Sequence, residues 1–416
     1  MDARSPRQPD ALVSTDDAVA PALTGERNPS RERIGVVLIN LGTPDAPTPR
    51  AVRRYLREFL SDPRVIDISA PARWLLLNAI ILPFRPRRSA HAYAQIWTDA
   101  GSPLLIHTTK LAEELERSLG PRFVVRVAMR YGSPSIESAL DGLRAARTSQ
   151  IVAVPLFPQY ASASTGTALD KLYRIAGRAL TVPHVRVAPP FYAHEGFVRA
   201  TAAIAAPILA ARGPEHVVMS YHGLPERQVT AADETQRYCL AREDCCAAIG
   251  ESNHMCYRAQ CFATSRAIAA ALRLAPGSYT VAFQSRLGRT PWIGPATDEV
   301  IVQLAGRGVR KLAVLCPSFV SDCLETLEEI GLRGREQWLA AGGEELTLVP
   351  CVNAHPEWVA GLSRIVRELV AEPDRPAGTV PRAAAWSEPS SNGRSASPAA
   401  PAAAQRVLSR PVPERS

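Results

Sequence analysis

Val217-Val218-Met219-Ser220-Tyr221-His222-Gly223-Leu224-Pro225 reads as a buried strand that stops at an imidazole. Apolar residues open the run, and Gly and Pro close it, as at a strand-to-turn junction. Comparable short runs recur at 35–40, 124–129, 151–156, 279–283, 311–315 and 346–349. Helical patterns separate them, at 49–60, 102–119, 135–147, 196–212, 259–274, 297–307 and 321–341. Near-continuous apolar strands alternating with amphipathic helices imply parallel sheets covered on both faces. A break at Pro189-Pro190 divides the pattern into two α/β halves with a cleft between them. The expected organisation is a Rossmann-like N-terminal lobe over 34–190 and a second over 191–350, the latter with a cysteine-rich insert at 235–261. A C-terminal helix over 351–373 should pack back on the body. Residues 1–33 and 374–416 are rich in Pro, Ala, Ser and Arg without period, a composition expected to stay disordered.

Composition narrows the function. The chain has 416 residues, 46% hydrophobic and 21% charged, with a formal charge of +8. Only Lys110, Lys171 and Lys311 are lysines, and arginine supplies the remaining basic charge. Arginine suits bidentate recognition of carboxylates and phosphates. No Lys/Arg stripe with interleaved aromatics is present, so nucleic acid is not an expected partner. Residues 1–33 lack the pattern of a secretory signal, and no apolar run reaches the roughly 18 residues of a membrane span. The expected location is cytoplasmic, with peripheral contact at the inner membrane as the variant. Thiols stay reduced there, and clustered cysteines favour metal or redox chemistry over disulfides.

Ligands of open parallel sheets bind beyond the carboxyl ends of the strands. The irregular segments fall there: Asn40-Leu41-Gly42-Thr43-Pro44, Arg130-Tyr131-Gly132, Pro158-Gln159-Tyr160, Tyr221-His222-Gly223, Gln284-Ser285-Arg286 and Cys316-Pro317-Ser318. His222 at such an edge can accept a proton or bind a divalent metal; a structural His bonded to backbone is the alternative. Glu325 opens a helical stretch, and with Asp322 three residues earlier the spacing alone reads first as a capping box, a role that does not exclude one at the strand ends. A carboxylate facing His222 would supply a hard oxygen ligand or a proton acceptor. The loop from Gln284 to Pro295 mixes glycines, prolines, Arg286, Arg289 and Trp292, offering a flat apolar wall and a carboxylate clamp. Trp74–Phe84 is apolar and followed by Arg85, Arg87 and Arg88. It reads as a lip gripping an apolar dianion or touching an anionic membrane, or as a buried helix with a basic end. Five of the eight cysteines fall between 239 and 261, a density of soft ligands that points to a metal centre.

Six of these segments, in order, resemble the ferrochelatase family: Asn40-Leu41-Gly42-Thr43-Pro44, Pro158-Gln159-Tyr160, Ser220–Pro225, Gln284-Ser285-Arg286 with Pro291-Trp292, Gly294-Pro295 with Thr297-Asp298-Glu299, and Ser321–Leu327. The likeness spans about residues 34–370. It implies the class II chelatase fold, two Rossmann-like lobes each with a parallel sheet flanked by helices and the active cleft between them. It implies insertion of Fe²⁺ into protoporphyrin IX in haem synthesis, with coproporphyrin III as the rival substrate. A non-catalytic porphyrin-binding protein or an iron–sulfur redox sensor would be the readings outside catalysis. The resemblance carries proton and iron roles onto His222 and Glu325. It places porphyrin contacts at Leu41, Arg130, Tyr131, Tyr160 and Trp292, and makes 74–88 the cleft lip, the surface for any membrane contact.

The stretch after His222 is longer than in cluster-free members, and the extra length holds the cysteines. The chain resembles bacterial members that bind a [2Fe–2S] cluster through four internal cysteines. Adjacent side chains diverge, so the expected ligands are Cys239, Cys246, Cys256 and Cys261, with Cys245 as the alternate to Cys246. A Cys₄ zinc site or free thiols remain the other readings.

Overall fold

The computed structural model describes residues 33–371, apart from 236, 287 and 289. The two expected tails lie outside the described residues, except that Arg33 opens the first strand. Eight strands follow: β1 (Arg33–Gly42), β2 (Phe123–Tyr131), β3 (Thr148–Pro155), β4 (His184–Val187), β5 (His216–His222), β6 (Tyr279–Gln284), β7 (Lys311–Leu315) and β8 (Glu345–Leu348). They form two four-stranded parallel sheets, ordered β2-β1-β3-β4 and β6-β5-β7-β8. The same strand order occurs twice although no residue-level repeat is visible in the sequence. In this order β2 is added on one side of β1 and β3 on the other, so the direction of strand succession reverses and the switch points lie at β1/β3 and β5/β7.

Side-chain alternation explains why the strands read as unbroken apolar runs. Along β1, Ile34, Val36 and Leu38 enter one core, while Val37 and Ile39 enter another on the opposite face. The first core is closed by the helices Pro103–Leu119, Glu195–Arg212 and Pro356–Val370; the second by Ile136–Ala145 and Thr167–Ala176. Each fully buried Val, Leu or Ile contributes about 1.5–3 kcal/mol, so a two-faced sheet outweighs the weak propensities of its short strands. The helices Glu195–Arg212 and Pro356–Val370 cross at Gly196 and Gly361, where a Cβ on Gly196 would lie 2.5 Å from the other Cα.

The second sheet alternates in the same way. Val217, Met219 and Tyr221 face the helix Tyr257–Ala271 and the cysteines, whereas Val218 faces the helices Thr297–Gly306 and Arg335–Ala340. Continuing the even-numbered side carries Ser220 and then His222 towards the segment after β7. β4 has no signal in the sequence because it is a half-buried edge of four residues, His-Val-Arg-Val.

Candidate active site

His222 ends β5 opposite Gln284 of β6. Its backbone is tied on both sides: the amide donates to Ser318 Oγ at 3.2 Å, and the carbonyl accepts from the Tyr257 hydroxyl at 2.8 Å. The Nδ1 atom lies 2.7 Å from the Gly223 carbonyl oxygen. A carbonyl can only accept, so Nδ1 carries the proton and Nε2 is left with a lone pair. The half-buried ring thus presents a base, or a metal ligand, at the β5/β7 switch point.

Glu325 begins a π-helix, Glu325–Gly334, that follows β7. Such segments are rare and recur at functional sites. Asp322 does not cap this helix as the capping-box pattern suggested. Its carboxylate instead takes the Thr326 hydroxyl, the Cys351 amide and the Asn353 side chain, since residues 322–323 lie outside the helix. Gln284 locks the helix start to the sheet: its Nε2 donates to the Glu325 carbonyl at 2.8 Å while its Oε1 accepts from Ser220 Oγ at 2.7 Å.

Glu329 lies one turn beyond Glu325 and joins the site. It accepts from the Ser285 amide at 2.9 Å and the Ser285 hydroxyl at 2.6 Å. Burial pushes its carboxyl above the usual range and the nearby Glu325 charge adds to this, against the Ser285 hydrogen bond and the charge of His222. Ser285 adopts φ 67°, a left-handed conformation costly for a non-glycine residue and held here by its bonds to Glu329. On the other side, burial and then the Glu325 charge raise the Tyr55 hydroxyl well above its ordinary range, and burial, then Tyr55, then Glu325 raise that of Tyr93. The helix Leu82–Ile96, which carries Tyr93, packs against the π-helix that Glu325 begins. Glu328 is instead neutralised by Arg333 at 2.8 Å.

The walls come from loops. Trp292 bridges to Pro225 and lies against Gly223, where a Cβ would meet Gln284 O at 2.9 Å and Trp292 Cε3 at 3.2 Å. Only glycine fits this approach of indole and histidine turn. Leu41 and Tyr160 are half-buried at the β1/β3 end, and the Tyr160 amide donates to Gln260 Oε1 at 2.7 Å. Arg130 and Tyr131 are committed inward. Arg130 bonds Asp62 and Thr167 and stacks 4.3 Å over the Tyr131 ring, while Tyr131 is 0% exposed with its hydroxyl 3.0 Å from Asp62. Burial alone would raise the Asp62 carboxyl, but hydrogen bonds from Thr167, Arg64 and Tyr131 and the Arg130 charge hold it below its usual range. Arg286 is not the expected carboxylate clamp, because Asp298 and Glu299 occupy its guanidinium at 2.9 and 2.8 Å. Arg289 lies outside the described residues.

The apolar run at 74–84 spans the end of the helix Ala70–Leu75, a π-helix Leu76–Ile81 and the start of the helix Leu82–Ile96. It is half core and half surface: Leu77, Ile81 and Leu82 are buried, whereas Trp74 is 67% and Phe84 74% exposed. Leu75 and Ile80 share that exposed side. No helix among the described residues is long and apolar enough to cross a membrane.

All five clustered cysteines are buried in one core with Tyr257. The Cys245 and Cys246 sulfurs lie 3.7 Å apart, and Cys256 shares the same buried core with them and with Cys239. Arg258 Nη1 lies 3.2 Å from the Cys246 sulfur and 4.0 Å from that of Cys245. Burial raises the Cys261 and Cys239 thiols, and the contact with Cys256, then burial, raises Cys246. Among the described residues no three His, Cys, Asp or Glu side chains are placed to hold a single metal ion.

Sequence reasoning missed Glu329 and Tyr257, and gave Gln284 only as the start of a strand-end segment without its role. Glu329 had one usable signal, its spacing of four from Glu325 on a helix; the other two act through hydrogen bonds that no local pattern announces.

Fold and site together define a metal chelatase built on two parallel α/β halves, with an imidazole and carboxylates at one switch point. The ferrochelatase family profile matches residues 33–370, and the chain belongs to that family, the metal chelatases of haem biosynthesis. The ferrochelatase of Coxiella burnetii (strain CbuK_Q154) is 46% identical over 340 residues, 82% of this chain and 94% of that protein. That of Legionella pneumophila (strain Paris) is 46% identical over 338 residues, 81% of this chain and 100% of its own length. Among solved structures, SirB from Bacillus subtilis with Fe³⁺ aligns with a TM-score of 0.42 and 14% identity, covering 82% of this chain and 96% of that one.

Proposed function

We propose that the chain inserts Fe²⁺ into protoporphyrin IX, with His222 accepting pyrrole protons and Glu325 and Glu329 carrying protons or iron. The observation that carries this reading is the π-helix after β7, which Gln284 ties to the sheet beside His222 and whose Glu329 feels the charges of both His222 and Glu325. Insertion exchanges two pyrrole N–H protons for one Fe²⁺, so the site must take up two protons for each metal delivered. The Nε2 lone pair of His222 suits the first transfer, being fixed by the Nδ1–H bond to Gly223. Glu329, whose carboxyl holds a proton more tightly than usual, suits onward transfer. Iron reaches the ring as substrate, and Glu325 is the oxygen donor on its route. Leu41, Tyr160 and Trp292 supply the rigid apolar walls, and Arg130 with Tyr131 braces them through Asp62. The exposed Trp74, Leu75, Ile80 and Phe84, with Arg85, Arg87 and Arg88 behind them, suit peripheral contact with an anionic membrane, consistent with a cytoplasmic location.

The five thiols suit a [2Fe–2S] cluster in burial and chemistry. Such a cluster needs four thiolates, two on each iron, rather than a cage around one point. Cys246 lies 3.7 Å from Cys245 and acts on Cys261 as well, while Cys245 acts on Cys239; the ligands we propose are Cys239, Cys246, Cys256 and Cys261, with Cys245 as the alternate to Cys246. Bound there, a cluster would supply electron exchange, which metal insertion itself does not use.

The test is an anaerobic assay with Fe²⁺ and protoporphyrin IX. His222→Ala should abolish insertion while leaving porphyrin binding intact, and near-normal turnover would sink the assignment.

A further inference from the structure

One helix, Tyr257–Ala271, touches both the thiols and the catalytic strand ends. Cys256 stands at its N-cap and Cys261 four residues beyond Tyr257, on the same side of the helix. The Tyr257 hydroxyl donates to His222 O at 2.8 Å, and its ring shares the thiols' buried core. The next turns of the helix hold three further strand-end residues. Gln260 accepts from the Tyr160 amide at 2.7 Å, Thr264 from Gln159 Nε2 at 2.9 Å, and Ser265 pairs with the Tyr221 hydroxyl at 2.7 Å.

We infer that Tyr257 is a positioning residue, holding the His222 main chain through its hydroxyl and relaying to it the state of the cysteine set in which it is rooted. The inference rests on the roles proposed above for His222 and for Cys256 and Cys261. Those cysteines bracket Tyr257, one at the N-cap and one four residues on, so a change in what holds them would reach the phenol through the helix. Cys261 shares the buried core that holds the Tyr257 ring. Beside the ladder bond from the Gly223 amide to Gln284 O at 2.8 Å, two groups fix the His222 main chain: Ser318 holds the amide and Tyr257 the carbonyl. A misplacement of about 1 Å in a reacting group can cost about a hundredfold in rate.

The experiment uses the full chain carrying Tyr257→Phe, purified anaerobically. Loss of one buried bond should lower kcat about tenfold. The Kd for protoporphyrin IX, read by fluorescence quenching, should stay within about twofold, and acid-labile sulfide per chain should match the parent. Amide exchange in the peptide around Gly223 should quicken. In a double-mutant cycle, Cys261→Ser should lower kcat in the parent and cause no further loss in Tyr257→Phe. A Tyr257→Phe kcat within about twofold of the parent overturns the inference. So does a fall in porphyrin affinity that keeps step with kcat, which would mark general loss of structure. Additive losses in the cycle overturn the relay. Failure of the underlying reading looks different: turnover would survive His222→Ala, or the parent protein would contain no labile sulfide.

Discussion

Gln284→Leu isolates the link between sheet and π-helix. The Gln284 side chain is buried, and its amide makes two short bonds, from Ser220 Oγ at 2.7 Å and to Glu325 O at 2.8 Å, beside a long, weak one from Cys316 Sγ at 3.8 Å. Leucine has a similar size and no polar atoms. Each bond lost costs about 1 kcal/mol net, so the stability loss should be about 2 kcal/mol. Ser220 keeps Thr297 as a partner at 2.8 Å, and the Glu325 carbonyl begins a helix, so neither group is stranded. For a domain of this size that loss moves Tm by only about 4 °C, leaving the protein folded at assay temperature. The catalytic effect should be larger. Without Gln284 the first turn of the π-helix is no longer keyed to β6, and Glu325 can drift relative to His222. A loss of tenfold to about a hundredfold in kcat is expected, with porphyrin affinity held. Thermal melting, porphyrin fluorescence titration and anaerobic Fe²⁺ insertion measure the three quantities. A stable variant with kcat within about twofold of the parent would refute the claim that this amide sets the carboxylate.

Glu329→Gln should melt higher than the parent at neutral pH while losing activity. The folded chain holds the Glu329 proton to higher pH than the unfolded chain, so its contribution is lost as pH rises through the folded value; the gap between variant and parent should close below the ordinary glutamate value of about 4.3. A gap that widens in acid would contradict the assigned direction. Gly223→Ala forces a Cβ to within 2.9 Å of Gln284 O and 3.2 Å of Trp292 Cε3. It should cost about 1–3 kcal/mol by melting and weaken porphyrin binding through the displaced indole, whereas unchanged affinity would remove Trp292 from the wall. Cys246→Ser should abolish labile sulfide in anaerobically purified protein and Cys245→Ser should spare it; the reverse result would reassign the ligand.

The sheets were legible because both faces of each are buried: a strand such as β1 sends alternate residues into two cores, and the run then reads apolar throughout. β4 escaped since an edge strand needs no such run. His222 was legible from its place, an imidazole closing a buried strand before a glycine that contacts Trp292. The π-helix was not. Its residues read as an ordinary amphipathic helix with a capping box, and the widened turn depends on tertiary bonds such as Gln284 to Glu325. The same limit misled the reading of Arg286, whose partners Asp298 and Glu299 are separate in sequence and adjacent in space. Residues 74–84 were legible as apolar, but which side meets water follows from helix register against Tyr55, Tyr93 and Tyr131.

The doubled strand order has a consequence for how the two sheets differ. Both end in a switch point of the same kind, yet the β5/β7 end carries His222 and the π-helix carboxylates, while the β1/β3 end carries Leu41 and Tyr160. One scaffold used twice thus acquires two unlike linings, and the loops beyond the strands, not the strands themselves, set them apart.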